Sequence, residues 1–223
     1  KFFISLTLFF FGSLLQLIPI FLFKINLDTA SDFTRTSLTV FSNIIIVIIL
    51  ILMYRKDLIK GFKDLKEKKA SPLGIGFNYW FFGLMIMVFS NFIISLFNQG
   101  GTSTNEESIR VIVNNFPVLA LLSIALISPI IEELVFRKAF REIFENKWIY
   151  LFTSGVIFGG LHVFLSPIHS FVDYLYLIPY CSMGIAFAYM YYKTNNILVP
   201  ITMHVMHNTL NVVSTILLAG AII

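Results

Sequence analysis

The stretch LTVFSNIIIVIILILMY, residues 38–54, carries no charged side chain, and the basic segment RKDLIKGFKDLKEKKA, residues 55–70, follows it directly. An apolar run of this length can cross the core of a bilayer as a helix, because backbone polar groups in lipid must be satisfied within the segment. Basic residues concentrate at the cytoplasmic ends of such helices. The two adjoining stretches therefore predict a membrane-spanning helix that ends at the cytoplasmic surface.

The whole chain has the composition of a membrane protein. Of its 223 residues, 57% are hydrophobic and 13% are charged, whereas soluble domains have about 45–50% and about 25%. Seven apolar runs are interpreted as helices: Phe2–Phe23, Leu38–Tyr54, Phe77–Phe97, Phe116–Phe140, Trp148–Phe164, Phe171–Tyr192 and Ile197–Ala219. The first has no signal-peptide cleavage site and is interpreted as a span. We predict an all-α fold, a polytopic membrane helical bundle of about seven transmembrane helices, with residues 1–223 forming a single membrane domain.

The distribution of basic residues predicts the orientation. Segment 55–70 holds seven Lys or Arg residues against three acidic ones, which places it in the cytoplasm. Alternation of seven spans then puts residues 98–115 outside. The basic residues after the fourth and sixth runs return to the cytoplasmic side: Lys138, Arg141, Lys147 and Lys193. We therefore interpret the net charge of +4 as a signal of membrane topology. The expected partner of the protein is the lipid bilayer, and we expect no binding to nucleic acid. The Ile-, Phe-, Lys- and Asn-rich composition favours a bacterial plasma membrane.

Three of the apolar runs carry polar groups that are costly in lipid and therefore mark a functional site. The fourth, fifth and seventh runs contribute them in turn: Glu132, Glu133 and Arg137; His162; His204, His207 and Asn208. A single intramembrane histidine is often only a contact between helices. The whole set, distributed over three helices, is harder to explain by structure alone.

Helical spacing predicts different roles for the two neighbouring carboxylates, Glu132 and Glu133. Glu133 and Arg137 are four residues apart and share one helical face, so they can form a buried ion pair. Glu132 points about 100° away from Glu133 on an ideal helix and is worse placed for Arg137. We therefore predict a structural role for the Glu133–Arg137 pair, and we assign Glu132 to chemistry as a general base.

The other polar groups follow the same four-residue spacing. His204 and Asn208 share a face, as do Phe158 and His162. His207 lies about 60° from His204 on an ideal helix, so it could belong to the site or to a neighbouring contact. Glycines at positions 155, 159 and 160 give the fifth run a thin side. Such a side lets a second helix approach closely.

Three motifs in order carry a resemblance to a known family. Glu132-Glu133-x-x-x-Arg137, Phe158-x-x-x-His162 and His204-x-x-x-Asn208 resemble the CaaX protease and bacteriocin-processing family (CPBP, also called Abi), over about residues 117–213. The resemblance implies an intramembrane protease whose site lies within the bilayer and opens to the cytoplasmic side.

The resemblance also implies a role for each motif residue. Glu132 would activate the attacking water, which His162 would help to hold. His204 and Asn208 would polarise the scissile carbonyl, and Arg137 would support the cluster. The substrate would be a membrane-tethered peptide or precursor protein.

Metal use stays open at this point. Glu132, His162 and His204 form a plausible zinc set with an open position, as in an intramembrane metalloprotease, although the HExxH motif is absent. Metal-free carboxylate catalysis is the alternative. No cofactor is otherwise expected.

Two other functions were considered. A non-catalytic membrane scaffold or regulator of the same fold would carry the motifs in an inaccessible site. A transporter could use carboxylates and histidines as a proton relay, but no inverted repeat or paired broken helices are visible in the sequence.

Overall fold

The structure is a computed structural model, and it describes residues 1–68, 71–98 and 101–220. The described residues form eight helices and no strand. In chain order they are α1 Phe2–Phe23, α2 Asp32–Glu67, α3 Ser71–Phe97, α4 Thr104–Asn115, α5 Pro117–Ala139, α6 Lys147–Phe164, α7 Phe171–Thr194 and α8 Leu198–Gly220. The all-α prediction is confirmed.

Each of the seven apolar runs forms one of these helices. Within the described residues, α1, α2, α3, α5 and α7 are long and apolar enough to cross a membrane. The other two, α6 and α8, carry the site histidines, which lower their hydropathy. A count of about seven spans is compatible with this set. Large apolar side chains such as Phe21, Phe82 and Phe89 stay exposed on the outer faces of the bundle, as expected for helices that face lipid.

The eighth helix, α4, lies in the segment 98–115, which the alternation of seven spans puts outside and which is not one of the seven apolar runs. The Ser103 hydroxyl accepts a hydrogen bond from the Glu106 amide and caps the helix, and Glu106 and Glu107 lie in its first turn. Acidic residues in that position favour the positive end of the helix dipole. The apolar side of α4 packs onto the bundle through Ile109 and Val113. The hydropathy of the sequence did not indicate this helix, because it is short and amphipathic rather than uniformly apolar.

Close contacts of α7 with α6 hold the centre of the bundle together. A Cβ added at Gly155 would lie 2.9 Å from the Ile185 backbone nitrogen, and one at Gly159 would lie 2.6 Å from the Cys181 backbone nitrogen. The two helices can therefore meet only because these positions lack side chains. The predicted thin side of α6 is confirmed at both positions. Gly160 takes no part, since a Cβ there would meet only Phe164 of its own helix.

Helix α5 is not a regular α-helix. Two π-helical segments, Leu121–Ile127 and Glu133–Ala139, flank a short α-helical turn. Pro129 lies in that turn and has no N–H to donate, so the hydrogen-bond register must adjust around it. Wide turns of this type often occur at functional sites, and here the second one begins at Glu133.

The two ends of the bundle differ in charge. At one end, which we call the basic end, residues 54–68, 138–147 and 189–198 come together. Lys138 forms an ion pair with Asp57 at 2.8 Å, and the Asn196 side chain donates to the Gly61 carbonyl at 2.8 Å. The predicted alternation of the spans requires these three segments to lie at the same end of the bundle. At the opposite end, the Thr104 hydroxyl of α4 donates to the Pro167 carbonyl at 3.2 Å.

Candidate active site

Glu133 lies at the buried centre of the candidate site. Its side chain is fully inaccessible, and its two oxygens have different partners. Oε2 lies 3.2 Å from Nε of Arg137, as the four-residue spacing predicts. Oε1 accepts a hydrogen bond of 2.8 Å from Nδ1 of His204. One carboxylate thus joins α5 to α8, a contact that the sequence analysis did not anticipate.

Arg137 is held by more than its carboxylate. Its NH2 group donates to the Gly184 carbonyl of α7 at 3.2 Å, and its guanidinium lies 4.2 Å from the centre of the Phe158 ring. Nε and Oε2 of Glu133 do not form a directed hydrogen bond, so their contact is an ion pair. Because Arg137 is fully buried, this ion pair compensates a charge that would otherwise be very costly in the bundle.

His204 connects the buried pair to Glu132. Its ring stacks on Phe187 with centroids 4.6 Å apart, and its Nε2 lies 3.6 Å from Oε2 of Glu132. A carboxylate can only accept hydrogen bonds, so the contact with Glu133 places a proton on Nδ1 of His204. Nε2 therefore accepts a hydrogen bond in the neutral ring and donates one in the doubly protonated ring.

Glu132 differs from Glu133 in its surroundings. Its side chain is 17% exposed and faces a cavity, whereas that of Glu133 is fully enclosed. His204 supplies its one ion-pair contact among the described residues. The assignment of Glu133 to the ion pair and Glu132 to chemistry therefore agrees with the different exposure and partners of the two carboxylates.

His162 lies on the other side of the Phe158 ring. Its Nδ1 donates to the Phe158 carbonyl at 2.9 Å, which leaves Nε2 as an acceptor in the neutral ring. The Tyr180 ring stacks on the imidazole with centroids 4.9 Å apart. The Tyr180 hydroxyl in turn hydrogen-bonds Ser103 at 2.8 Å and Asn105 at 3.1 Å, so the position of His162 is coupled to the start of α4.

Asn208 joins α8 to the irregular part of α5. Its amide nitrogen donates to the Ile124 carbonyl at 3.0 Å. In the wide register of this segment Ile124 would accept from residue 129, but Pro129 has no N–H, so the carbonyl needs another donor. One N–H of the Asn208 amide remains for another acceptor.

His207 belongs to the surroundings of the site. Its Nδ1 accepts a hydrogen bond of 3.4 Å from the indole nitrogen of Trp80 on α3. The four predicted catalytic residues line one cavity of about 1080 Å³, together with Phe158 and His207. A volume of this size is at the upper end of ligand pockets and has room for several residues of a peptide. The structure thus brings the predicted catalytic set to one cavity: Glu132, His162, His204 and Asn208.

The three side chains considered as zinc ligands are not grouped closely in this arrangement. Among residues 1–68, 71–98 and 101–220, no three His, Cys, Asp or Glu side chains come close enough together to hold a metal ion. His204 and Glu132 are neighbours, but the Phe158 ring lies between the two imidazoles, 4.6 Å from the centre of His162 and 5.8 Å from that of His204. We therefore derive no catalytic step through a metal.

Three aromatic side chains of the site were not singled out by their spacing: Trp80, Tyr180 and Phe187. Tyr180 and Phe187 are seven residues apart, so they share a face of α7, and Gly184 lies between them on the sequence. This pattern alone is equally typical of ordinary helix packing. These residues are distinguished by their contacts with the site histidines. Those histidines lie on other helices, so the contacts depend on how the helices pack.

The fold and the site define a polytopic membrane protein with a carboxylate–histidine centre inside its helical bundle. Residues 114–210 match a family model described as "Type II CAAX prenyl endopeptidase Rce1-like". YdiL of Bacillus subtilis, named for a proposed membrane peptidase activity, is 30% identical over 159 residues, which are 68% of this chain and 61% of YdiL. The "Membrane-embedded CAAX protease MroQ" of Staphylococcus aureus is 29% identical over 126 residues, which are 55% of this chain and 49% of MroQ.

A further relative extends over more of the chain. UPF0177 protein YvdC of Lactococcus lactis is 24% identical over 196 residues, which are 86% of this chain and 68% of YvdC. No solved structure matches the chain at comparable significance. The chain thus spans 49–68% of the length of these relatives, and the predicted site residues from Glu132 to Asn208 fall within the part that matches the family model. The family-model match over residues 114–210 and the similarity to YdiL and MroQ support the resemblance to the CPBP family that the three motifs carry.

Proposed function

We propose that the protein is an intramembrane endopeptidase that hydrolyses a peptide bond in a membrane-tethered peptide or precursor protein. The observation that carries this proposal is the contrast between the two neighbouring carboxylates. Glu133 is enclosed and paired, whereas Glu132 faces a cavity of about 1080 Å³ that His162, His204 and Asn208 also line. A general base next to hydrogen-bonding groups at a cavity is what peptide hydrolysis requires.

The reaction begins with the activation of water. A water molecule held between Glu132 and the free Nε2 of His162 gives one proton to the Glu132 carboxylate. Its oxygen then adds to the carbonyl carbon of the scissile bond, and the carbonyl oxygen becomes an oxyanion. Glu132 next passes the proton to the amide nitrogen as the carbon–nitrogen bond breaks. Glu132 is thereby returned to its carboxylate form at the end of the cycle.

The donors for the oxyanion come from α8. Asn208 keeps one N–H beside the bond that it makes to Ile124. His204, with Nδ1 committed to Glu133, donates through Nε2 when it carries its second proton. Glu133 and Arg137 act through position and charge, because Glu133 orients the His204 ring and Arg137 compensates Glu133. Preorganised donors of this kind are the largest single contribution to catalysis in many acyl-transfer sites.

The decisive experiment is cleavage of membrane-tethered peptides by the purified protein in detergent. Wild type is compared with Glu132→Gln, which keeps the shape of the side chain and removes the base. We expect wild type to cut and Glu132→Gln to bind the same peptide without cutting it. Addition of a zinc chelator to wild type then distinguishes metal-free carboxylate catalysis, which persists, from zinc catalysis, which stops.

The result that contradicts the proposal is equally specific. If Glu132→Gln cuts as fast as wild type, Glu132 is not the base. If a well-folded wild type cuts no member of a mixed peptide library, the scaffold or regulator function of the same fold is favoured instead.

A further inference from the structure

The cavity opens at the end of the bundle that lies opposite the basic end. Glu132 and His204 line it in the interior of the bundle, and its wall continues along α3 and α8 to Ser95 and Ser214 and to the start of α4. Among the described residues, none that lines the cavity comes from residues 54–68, 138–147 or 189–198. The site is therefore reached from one end of the molecule.

Packed side chains close the path from the basic end. Immediately beyond Glu132, α5 contributes Leu134 and Phe136, and both are fully inaccessible. Tyr54 of α2 and Tyr150 of α6 are fully inaccessible as well and belong to the same core. A second core around Met190 fills the space between α3, α7 and α8. Among the described residues, these two packed cores separate Glu132 from the basic end.

Charge assigns the two ends to the two sides of the membrane. The basic end holds the Lys- and Arg-rich C-terminal part of α2, together with Lys138, Arg141 and Lys147, and the Lys1 ammonium lies over the Tyr54 ring at 4.8 Å. The opposite end carries few basic residues, such as Arg35 and Arg110. The excess of basic residues places the basic end in the cytoplasm, and the cavity then opens to the external side.

Two expectations drawn from the sequence are thus incompatible in this structure. The charge pattern puts residues 55–70 in the cytoplasm, and the family resemblance implies a site open to the cytoplasm. A cavity that opens opposite residues 55–70 allows only one of them to hold. The charge pattern is a property of this chain itself, and it is the one that we follow.

We propose that the substrate is a peptide segment presented on the external side of the membrane, which reaches Glu132 through the cavity from outside. The chemistry rests on the proposed function, but the direction of access rests on the cavity and the charges. This assigns the substrate to the class of translocated peptides or external tails of membrane proteins. A cytoplasmic C-terminal tail does not meet this requirement.

The lining of the cavity indicates the character of that segment. Its wall is largely apolar, with Leu84, Met87 and Met183 among the lining residues, and the Glu106–Arg110 ion pair lies near its mouth. Phe92 of α3 and Leu210 of α8 also line it and are more than half exposed, so the opening reaches the lipid-facing surface. A segment with apolar side chains around the scissile bond, tethered in the outer leaflet, fits both features.

Cysteine labelling tests the direction of access without any need for activity. The chain has one cysteine, Cys181, so Cys181→Ala gives a cysteine-free background. Ser128→Cys and Met87→Cys then place single thiols deep in the cavity, Ser108→Cys places one at its mouth, and Lys63→Cys is the matched control at the basic end. A membrane-impermeant maleimide is applied to spheroplasts and to inverted membrane vesicles.

We expect the mouth thiol and at least one deep thiol to react in spheroplasts, and the Lys63→Cys thiol to react only in inverted vesicles. Reaction of the deep thiols in inverted vesicles only, or from neither side, would overturn the proposal. So would labelling of Lys63→Cys from outside. Two deep positions are used because one of the variants could fail to fold.

A cleavage measurement then links access to function. A charged peptide with an acyl anchor, which cannot cross the bilayer, is added to right-side-out and to inverted vesicles. We expect wild type to cut it only in right-side-out vesicles and Glu132→Gln to cut it in neither. Cutting in inverted vesicles alone would overturn the outside route. If labelling succeeds from outside and no peptide is cut, the direction of access stands and the peptidase proposal fails.

Discussion

The stability of the bundle depends on the charge of Glu133, and the substitution Glu133→Gln isolates that charge. Glutamine has nearly the same shape and can still accept the hydrogen bond from Nδ1 of His204. The change therefore leaves Arg137, which is fully buried, without its carboxylate at 3.2 Å. Removal of one partner of a buried ion pair costs about 3–5 kcal/mol.

The other contacts of Arg137 do not reduce this cost. Its bond to the Gly184 carbonyl and its position over the Phe158 ring remain, and the latter is worth roughly 2 kcal/mol when desolvated. Both are already present in wild type, so neither offsets the loss. A change of 3–5 kcal/mol corresponds to a decrease of about 6–20 °C in the unfolding midpoint on the scale of globular proteins of this length.

Thermal unfolding in detergent measures this decrease, and Glu132→Gln is the matched control. Glu132 is partly exposed and its contact with His204 is 3.6 Å long, so this variant loses activity with little change in the midpoint. The double variant Glu133→Gln/Arg137→Leu removes both charges and recovers most of the loss, since an apolar replacement of a buried ion pair is often neutral. Equal midpoints for Glu133→Gln and Glu132→Gln would refute the reasoning.

Three further predictions concern packing, the oxyanion and the support of His162. Gly159→Ala lowers the unfolding midpoint, because its Cβ would lie 2.6 Å from the backbone of α7 and such overpacking costs about 1–3 kcal/mol. The control Gly74→Ala, with open space around it, leaves the midpoint unchanged. Equal midpoints for the two variants would contradict the close contact. His204→Gln and Asn208→Ala lower kcat by about 10²–10³-fold with a smaller change in KM, and a change confined to KM in a peptide-cleavage assay would show that they only bind substrate. Tyr180→Phe keeps the ring stacked on His162 and loses the hydroxyl contacts, at a cost of about 1 kcal/mol in unfolding free energy. Tyr180→Ala removes the ring as well and also lowers kcat. Identical kcat values for the two variants would show that the ring does not position His162.

Spacing along a single helix proved to be a reliable guide to local pairs. The contact of Glu133 with Arg137 follows from their spacing of four residues, which places both side chains on one face of the helix. Glu132 points to a different side because each residue is rotated by about 100° from the one before it. The thin side of α6 was predicted in the same way and holds at two of its three glycines. These features are properties of one segment, so no knowledge of the other helices is needed to predict them.

Contacts between helices could not be predicted in this way. The bond from His204 to Glu133, the ring of Phe158 between the two imidazoles, and the bond from Asn208 to Ile124 each join groups on different helices. The last of these depends on an irregular register of α5 that hydropathy does not reveal. The zinc set named from the sequence illustrates the limit, because residue types suited to a metal need not meet in space.

The sequence by itself determined that the chain is an α-helical membrane protein, which residues are candidates for the chemistry, and which end of the bundle is basic. Those properties follow from hydropathy, from residue type and from charge, all of which are local. Only the tertiary structure decided that His162, His204 and Asn208 line one cavity with Glu132, and at which end that cavity opens. Burial and access depend on how distant helices pack, and packing in lipid is determined by shape and interhelical hydrogen bonds.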